Sequence, residues 1–124
     1  MTIGTSQPSE LARFYSQLLS LPVTADEGPV PGEPDKGGWA QIRPPEQVNA
    51  PTLDFEYERC YARPVWPSVS GRQTATQHLD IKVDDLPAAV DWAVACGAVL
   101  AEVQPQDDVR VLLDPDGHPF CLFL

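Results

Sequence analysis

The sequence predicts an α+β fold made of two βαβββ units, and three observations predict it. Two apolar stripes with a helical period of about 3.6 begin near Pro8 and Asp85. After each stripe the apolar period shortens to two, as strands require. A short strand-like run stands before each stripe.

Met1–Thr5 reads as the first strand. From about Pro8 to Ser20, the residues Leu11, Phe14, Tyr15, Leu18 and Leu19 fall on one helical face. Ser6 or Ser9 offers an N-cap, and Pro8 suits a first turn. Three strands should follow, at Pro22–Ala25, Trp39–Arg43 and Thr52–Glu58. Gly28, Pro29, Pro31, Gly32, Pro34, Gly37 and Gly38 force a loop between the first two.

Arg59–Thr76 carries Pro64, Pro67 and Gly71 with no clear period and reads as a linker. The second unit opens with a strand at His78–Val83 and a helix at about Asp85–Cys96. Leu86, Ala89, Val90, Ala93 and Val94 form its stripe, Asp84 or Asp85 its cap, and Gly97 its left-handed end. Strands at Val99–Val103, Val109–Leu113 and Phe120–Leu124 complete it, the last two joined by the turn Asp114-Pro115-Asp116-Gly117. The expected limits are about 1–58 for the first unit, 59–76 for the linker and 77–124 for the second. A ferredoxin-like βαββαβ sandwich is the main competitor, but it has two strands between its helices where this sequence offers four.

The chain has 124 residues, enough for one domain that buries roughly two-thirds of its unfolded surface. Its three cysteines, Cys60, Cys96 and Cys121, form no CxxC pair, which argues against a disulfide framework and a structural zinc site. Reduced thiols and a cytoplasmic location are expected. No apolar run reaches the length of a membrane span, and no signal peptide is visible. Eighteen acidic against 8 basic side chains give a formal charge of −10. That balance disfavours nucleic acid and anionic membranes and favours a cationic ligand, although it also serves solubility alone.

Alternation assigns faces. Leu53, Phe55 and Tyr57 oppose Asp54, Glu56 and Glu58; Leu79, Ile81 and Val83 oppose His78, Asp80 and Lys82. Val109, Val111 and Leu113 oppose Arg110 and Leu112. If the apolar sets meet the helices, then Asp54, Glu56, Glu58, His78, Asp80, Lys82 and Arg110 are expected together on the other face. That face is either the wet side of an antiparallel sheet or a ligand cavity, and alternation alone does not choose.

Three segments resemble the vicinal oxygen chelate superfamily: Ser9-Glu10-Leu11-Ala12-Arg13-Phe14-Tyr15, His78-Leu79-Asp80-Ile81-Lys82-Val83-Asp84-Asp85-Leu86, and Leu113-Asp114-Pro115-Asp116-Gly117-His118-Pro119-Phe120-Cys121-Leu122. That group includes glyoxalase I, bleomycin-resistance proteins, fosfomycin-resistance enzymes and extradiol dioxygenases. The resemblance spans nearly the whole chain. It implies a U-shaped mixed sheet with the helices on its convex face, the ligand on the concave face, and a homodimer.

The superfamily's enzymes hold a divalent metal with one residue from the first and one from the last strand of each unit. The resemblance places His78 and Cys121 at the second unit's two positions and Glu56 at the first unit's last-strand position. Cys121 stands where glutamate is usual. Met1–Ser6 offers no His, Glu, Asp or Cys, so the fourth ligand is missing. The metal set His78, Glu56 and Cys121 is therefore incomplete, and no cofactor is expected, with a divalent metal as the alternative.

Single residues have plainer readings beside these. His78 is a metal ligand, a general base or a hydrogen-bonded histidine of a polar face. Cys121 also suits a small buried apolar position, and His118 a turn. Trp92 reads as helix packing. Trp39 and Trp66 would stack on a planar or cationic ligand or cover a core edge. Two functions remain: a binding protein that sequesters a cationic or aromatic small molecule, or a metal-dependent lyase, isomerase, transferase or dioxygenase using His78 and Glu56.

Overall fold

A computed structural model describes all 124 residues, Met1–Leu124. The chain divides into two compact units, Met1–Tyr61 and Ala62–Leu124. Each is a βαβββ unit with its own four-stranded mixed sheet.

In the first unit, β1 (Thr2–Thr5) leads to α1 (Pro8–Leu19), then β2 (Ala25–Glu27), β3 (Trp39–Ile42) and β4 (Leu53–Tyr57). The strand order is β1-β4-β3-β2, with β1 parallel to β4 and the other pairs antiparallel. Leu11, Ala12, Phe14 and Tyr15 of α1 are buried with Ile3, Ala40, Ile42, Leu53 and Phe55. Tyr15 stacks on Phe55 with ring centroids 5.6 Å apart, tying helix to sheet.

Neither expected serine caps α1. Gln7 takes the N-cap without a side-chain bond, and the Ser9 hydroxyl donates to Asp26 instead. The helix ends on Ser20 in the left-handed conformation, at φ 55. The first strand after α1 also lies later than expected, at Ala25–Glu27. Thr24 replaces ladder bonds just before it, its hydroxyl donating to the Gln41 carbonyl and accepting from Arg43 N–H.

The second unit runs β5 (Leu79–Lys82), α2 (Leu86–Cys96), β6 (Val99–Leu100), β7 (Val109–Leu113) and β8 (Pro119–Phe123). Its order, β5-β8-β7-β6, repeats the first unit's, again with the outer pair β5–β8 parallel. Asp85 caps α2 by accepting from Ala88 N–H at 3.0 Å, and Gly97 ends it at φ 117, both as expected. Ala62–Thr76 forms no helix or strand and belongs to this unit. Arg63 lies against the Asp114–Gly117 turn and donates to the Pro115 carbonyl at 3.0 Å.

Three expectations need correction here. Strand β6 is two residues long, because the Gln104 side chain takes over the edge of β7, bonding both N–H and C=O of Val111. Val94 and Trp92 are exposed rather than packed, at 48% and 51%. α2 is apolar around much of its girth, so its sequence does not mark the inward stripe.

The third correction concerns β7, whose faces are the reverse of the expectation. Leu112 pairs with Phe120, Arg110 with Leu122 and Val111 with Cys121, while Leu79 pairs with Phe120 and Asp80 with Cys121. Paired residues share a face, so Leu112 and Arg110 lie with Leu79 and Ile81. Val111 lies with Asp80 and Cys121. No helix of the chain is long and apolar enough to cross a membrane.

Candidate functional site

Residues that bear chemistry gather on the face of the second sheet opposite its apolar side. Asp80 lies in β5, Cys121 is its partner in β8, and His78 stands two residues before Asp80 on the same side. The parallel β5–β8 ladder fixes this spacing, with Phe120 and Leu122 of β8 buried and Leu79 and Ile81 of β5 half-buried on the opposite face. One donor atom from each of His78, Asp80 and Cys121 lies within 4.8 Å of the others.

Asp80 connects the other two groups. His78 Nε2 is 3.2 Å from an Asp80 carboxylate oxygen. The Cys121 thiol donates to the same carboxylate. Burial, then the negative charge of Asp80, then this hydrogen bond push the Cys121 thiol up to about 11. It is therefore a protonated donor at neutral pH. His78 and Asp80 are open to solvent, with side chains 45% and 59% exposed, so an incoming ligand can reach them.

Arg110 does not join this group. It lies on the other face, and its guanidinium donates to the carbonyls of Gln106, Asp107 and Val109. His118 is a turn residue: its ring Nδ1 lies 2.9 Å from the Asp114 carboxylate, which is 1% exposed and also accepts N–H bonds from Asp116 and His118. All three cysteines are free, and burial raises the Cys96 thiol.

In the first unit, Asp54 and Glu56 share the side of β4 turned away from the α1 core. Gln41 donates to Asp54 at 2.8 Å, and Glu56 pairs with Trp39 and with Gly4. Glu58 follows the strand and accepts from Cys60 N–H. Trp66 is 37% exposed in the irregular segment before β5. A polar cleft of ≈ 240 Å³ beside the start of α1 is lined by Gln7, Ser9, Glu10, Arg13 and Lys36. No sequence signal marked it, and Lys36 within it pairs with Glu10 at 2.7 Å.

A glyoxalase-like domain family model matches residues 1–123. The chain belongs to that family. A comparison with curated proteins gives no match to this glyoxalase-like domain. Solved structures share its fold at low identity. A glyoxalase family protein from Enterococcus faecalis is 20% identical with a TM-score of 0.68, covering 100% of this chain and 94% of that one. A glyoxalase/bleomycin resistance protein/dioxygenase family enzyme from Burkholderia phytofirmans PsJN is 18% identical, with a TM-score of 0.64 and coverages of 98% and 93%. The fosfomycin resistance protein FosX from Mesorhizobium loti is 12% identical, with a TM-score of 0.65 and coverages of 99% and 86%.

The superfamily's metal can be tested against these residues unit by unit. In the first, β1 offers only Thr2, Ile3, Gly4 and Thr5, and the residue paired with Glu56 is Gly4, which has no side chain. The second supplies nitrogen, oxygen and sulfur donors at one place, a set suited to a borderline divalent ion.

Proposed function

We propose that this glyoxalase-like domain binds a small cationic or aromatic molecule on the polar face of its second sheet. The observation that carries the reading is the Asp80 carboxylate, exposed and flanked by a thiol that stays neutral. Cys121 adds no negative charge at neutral pH, so Asp80 provides the face's attraction for a cation and Cys121 and His78 provide polar contacts. The chain's charge of −10 draws cations towards it. The acidic row of Asp54, Glu56 and Glu58 in the first unit has the same preference, and Trp39 and Trp66 offer rings for stacking. A cytoplasmic homodimer completes the reading, with a second copy covering the exposed Val94, Val99, Leu100 and Val103.

The test is calorimetric titration of metal-free protein with cationic aromatic compounds and their neutral isosteres, at low and high salt. Cations should bind more tightly, and Asp80→Asn should weaken them about two- to fivefold, the scale of an exposed ion pair. Binding indifferent to salt and to Asp80→Asn would remove the reading.

The closeness of three metal-competent donors, His78, Asp80 and Cys121, favours a second reading, a metal-dependent lyase, isomerase, transferase or dioxygenase that uses His78. There a bound ion would polarise a substrate oxygen. The chain's own part would be to hold the ion through these side chains and orient the substrate beside it.

A further inference from the structure

We propose that the cleft beside the start of α1 is a separate ligand site, and that it takes a small zwitterion of the α-amino-acid type. The cleft lies on the helix side of the first unit. Asp26, which accepts from Ser9 of α1, pairs with Ala40, and Ala40 is buried on the side of the sheet that packs against α1. Asp54, Glu56 and Trp39 occupy the opposite side of that sheet, so the acidic row takes no part in the cleft.

Two walls form the cleft. The first turns of α1 carry Glu10 and Arg13, and the loop between β2 and β3 carries Asp35 and Lys36. That loop is braced. The Glu33 carboxylate accepts from Val30 N–H at 3.1 Å and from Gly38 N–H at 2.8 Å, and Lys36 ties the loop to Glu10 at 2.7 Å. A ligand therefore meets walls that are already in place, which lowers the ordering cost of binding. The volume of ≈ 240 Å³ is below that of drug-sized pockets, roughly 300–1,000 Å³, and suits a molecule of amino-acid size.

Charge selects the ligand. The chain carries 8 basic against 18 acidic side chains, and its net charge of −10 repels anions in general. The charged lining of the cleft is balanced instead, with Arg13 and Lys36 facing Glu10 and Asp35. Lys36 and Glu10 satisfy each other. The other two charges are open: Arg13 reaches Asp26 only at 3.9 Å, and the Asp35 carboxylate has no hydrogen bond or ion pair. A ligand carboxylate matches the two-pronged guanidinium of Arg13, and a ligand ammonium matches Asp35. A plain anion would meet Asp35 and Glu10 uncompensated, and a plain cation would meet Arg13 and Lys36. Only a molecule with both groups answers both open charges, and Gln7 beside them suits a small polar side chain.

The test is an amide-resolved NMR titration of the full chain with L-serine and with two analogues that each keep one charge, ethanolamine and N-acetyl-L-serine. L-Serine should give saturable shifts centred on the amides of Arg13, Gly28, Asp35 and Gly37. Loss of either ligand charge should weaken binding roughly threefold or more, and Arg13→Gln and Asp35→Asn should each weaken L-serine about two- to fivefold, the scale of an exposed ion pair. Arg43→Gln removes the same charge outside the cleft and should leave the affinity at the parental value. Unchanged amide positions remote from each substitution confirm that the variants fold. Absence of saturable shifts in the cleft, an analogue that binds as tightly as L-serine, full affinity in Arg13→Gln and Asp35→Asn, or an equal loss in Arg43→Gln would overturn the proposal.

Discussion

Cys121 of β8 and Asp80 of β5 are cross-strand partners, and the Cys121 thiol donates to the Asp80 carboxylate. The folded protein therefore keeps this proton to about 11, against an ordinary thiol value of 9.0. A group whose folded value is raised contributes stability that is complete below its unfolded value and disappears as pH climbs through the folded one. Stability from Cys121 should thus fall between about pH 9 and pH 11. Urea midpoints across that window should decline, and Cys121→Ala should flatten the decline. A slope untouched by Cys121→Ala would show that other groups cause it.

The stacked pair Tyr15–Phe55 should carry much of the first unit's stability. Both rings are buried, Tyr15 at 1% and Phe55 at 0% exposure. Either residue changed to alanine should cost about 3–5 kcal/mol in denaturant unfolding, from lost transfer energy and the cavity left behind. In a double-mutant cycle the two should couple by about 0.5–1.5 kcal/mol, the scale of a direct aromatic pair. Additive losses would mean that the rings act through separate neighbours.

The two helix starts should respond differently to alanine. Asp85 accepts from Ala88 N–H, so Asp85→Ala should lower stability by about 1 kcal/mol. Ser9 caps nothing in α1, and its hydroxyl serves Asp26 at an exposed position. Ser9→Ala should therefore remain within about 0.5 kcal/mol of the parent. Thermal melts of the two variants provide the comparison.

Two glycines should tolerate a methyl group unequally. Gly38, at φ 103, would drive a Cβ into the backbone oxygen of Glu27, which cannot move without disturbing the end of β2. Gly117, at φ 96, would meet the Arg63 side chain, which can swing away at the loss of its bond to Pro115. Both substitutions carry left-handed strain of about 1–2 kcal/mol. Gly38→Ala should nevertheless reduce the melting temperature more than Gly117→Ala.

The sequence was most informative where periodicity and chemistry agreed. In β4, Leu53 and Phe55 are apolar while Asp54 and Glu56 are charged, so alternation alone placed both sets on their observed faces. The Gly97 end of α2 was legible for a related reason, a glycine after the last periodic residue, while of the two candidate caps Asp84 and Asp85 the structure uses Asp85. α1 offered two serines near its start, and neither composition nor spacing could show that Ser9 would turn to Asp26. At the site, His78 and Cys121 were marked by resemblance, and Asp80 by alternation as part of the same face. Its pairing with Cys121 depends on the β5–β8 register, which neither strand encodes alone.

Strand β7 shows most clearly where alternation fails, and it yields the last test. Val109-Arg110-Val111-Leu112-Leu113 is apolar on both sides, so only its register against β8 decides which way Arg110 turns. That register sets Arg110 on the face opposite Asp80 and Cys121, with its guanidinium engaged by the carbonyls of Gln106, Asp107 and Val109. Arg110→Ala should therefore leave cationic-aromatic binding at parental affinity while lowering stability by about 1 kcal/mol. A change in ligand affinity that matches Asp80→Asn in size would place Arg110 at the site after all. Calorimetry and urea unfolding on the same preparation separate the two outcomes, because a register-determined structural role affects only the second.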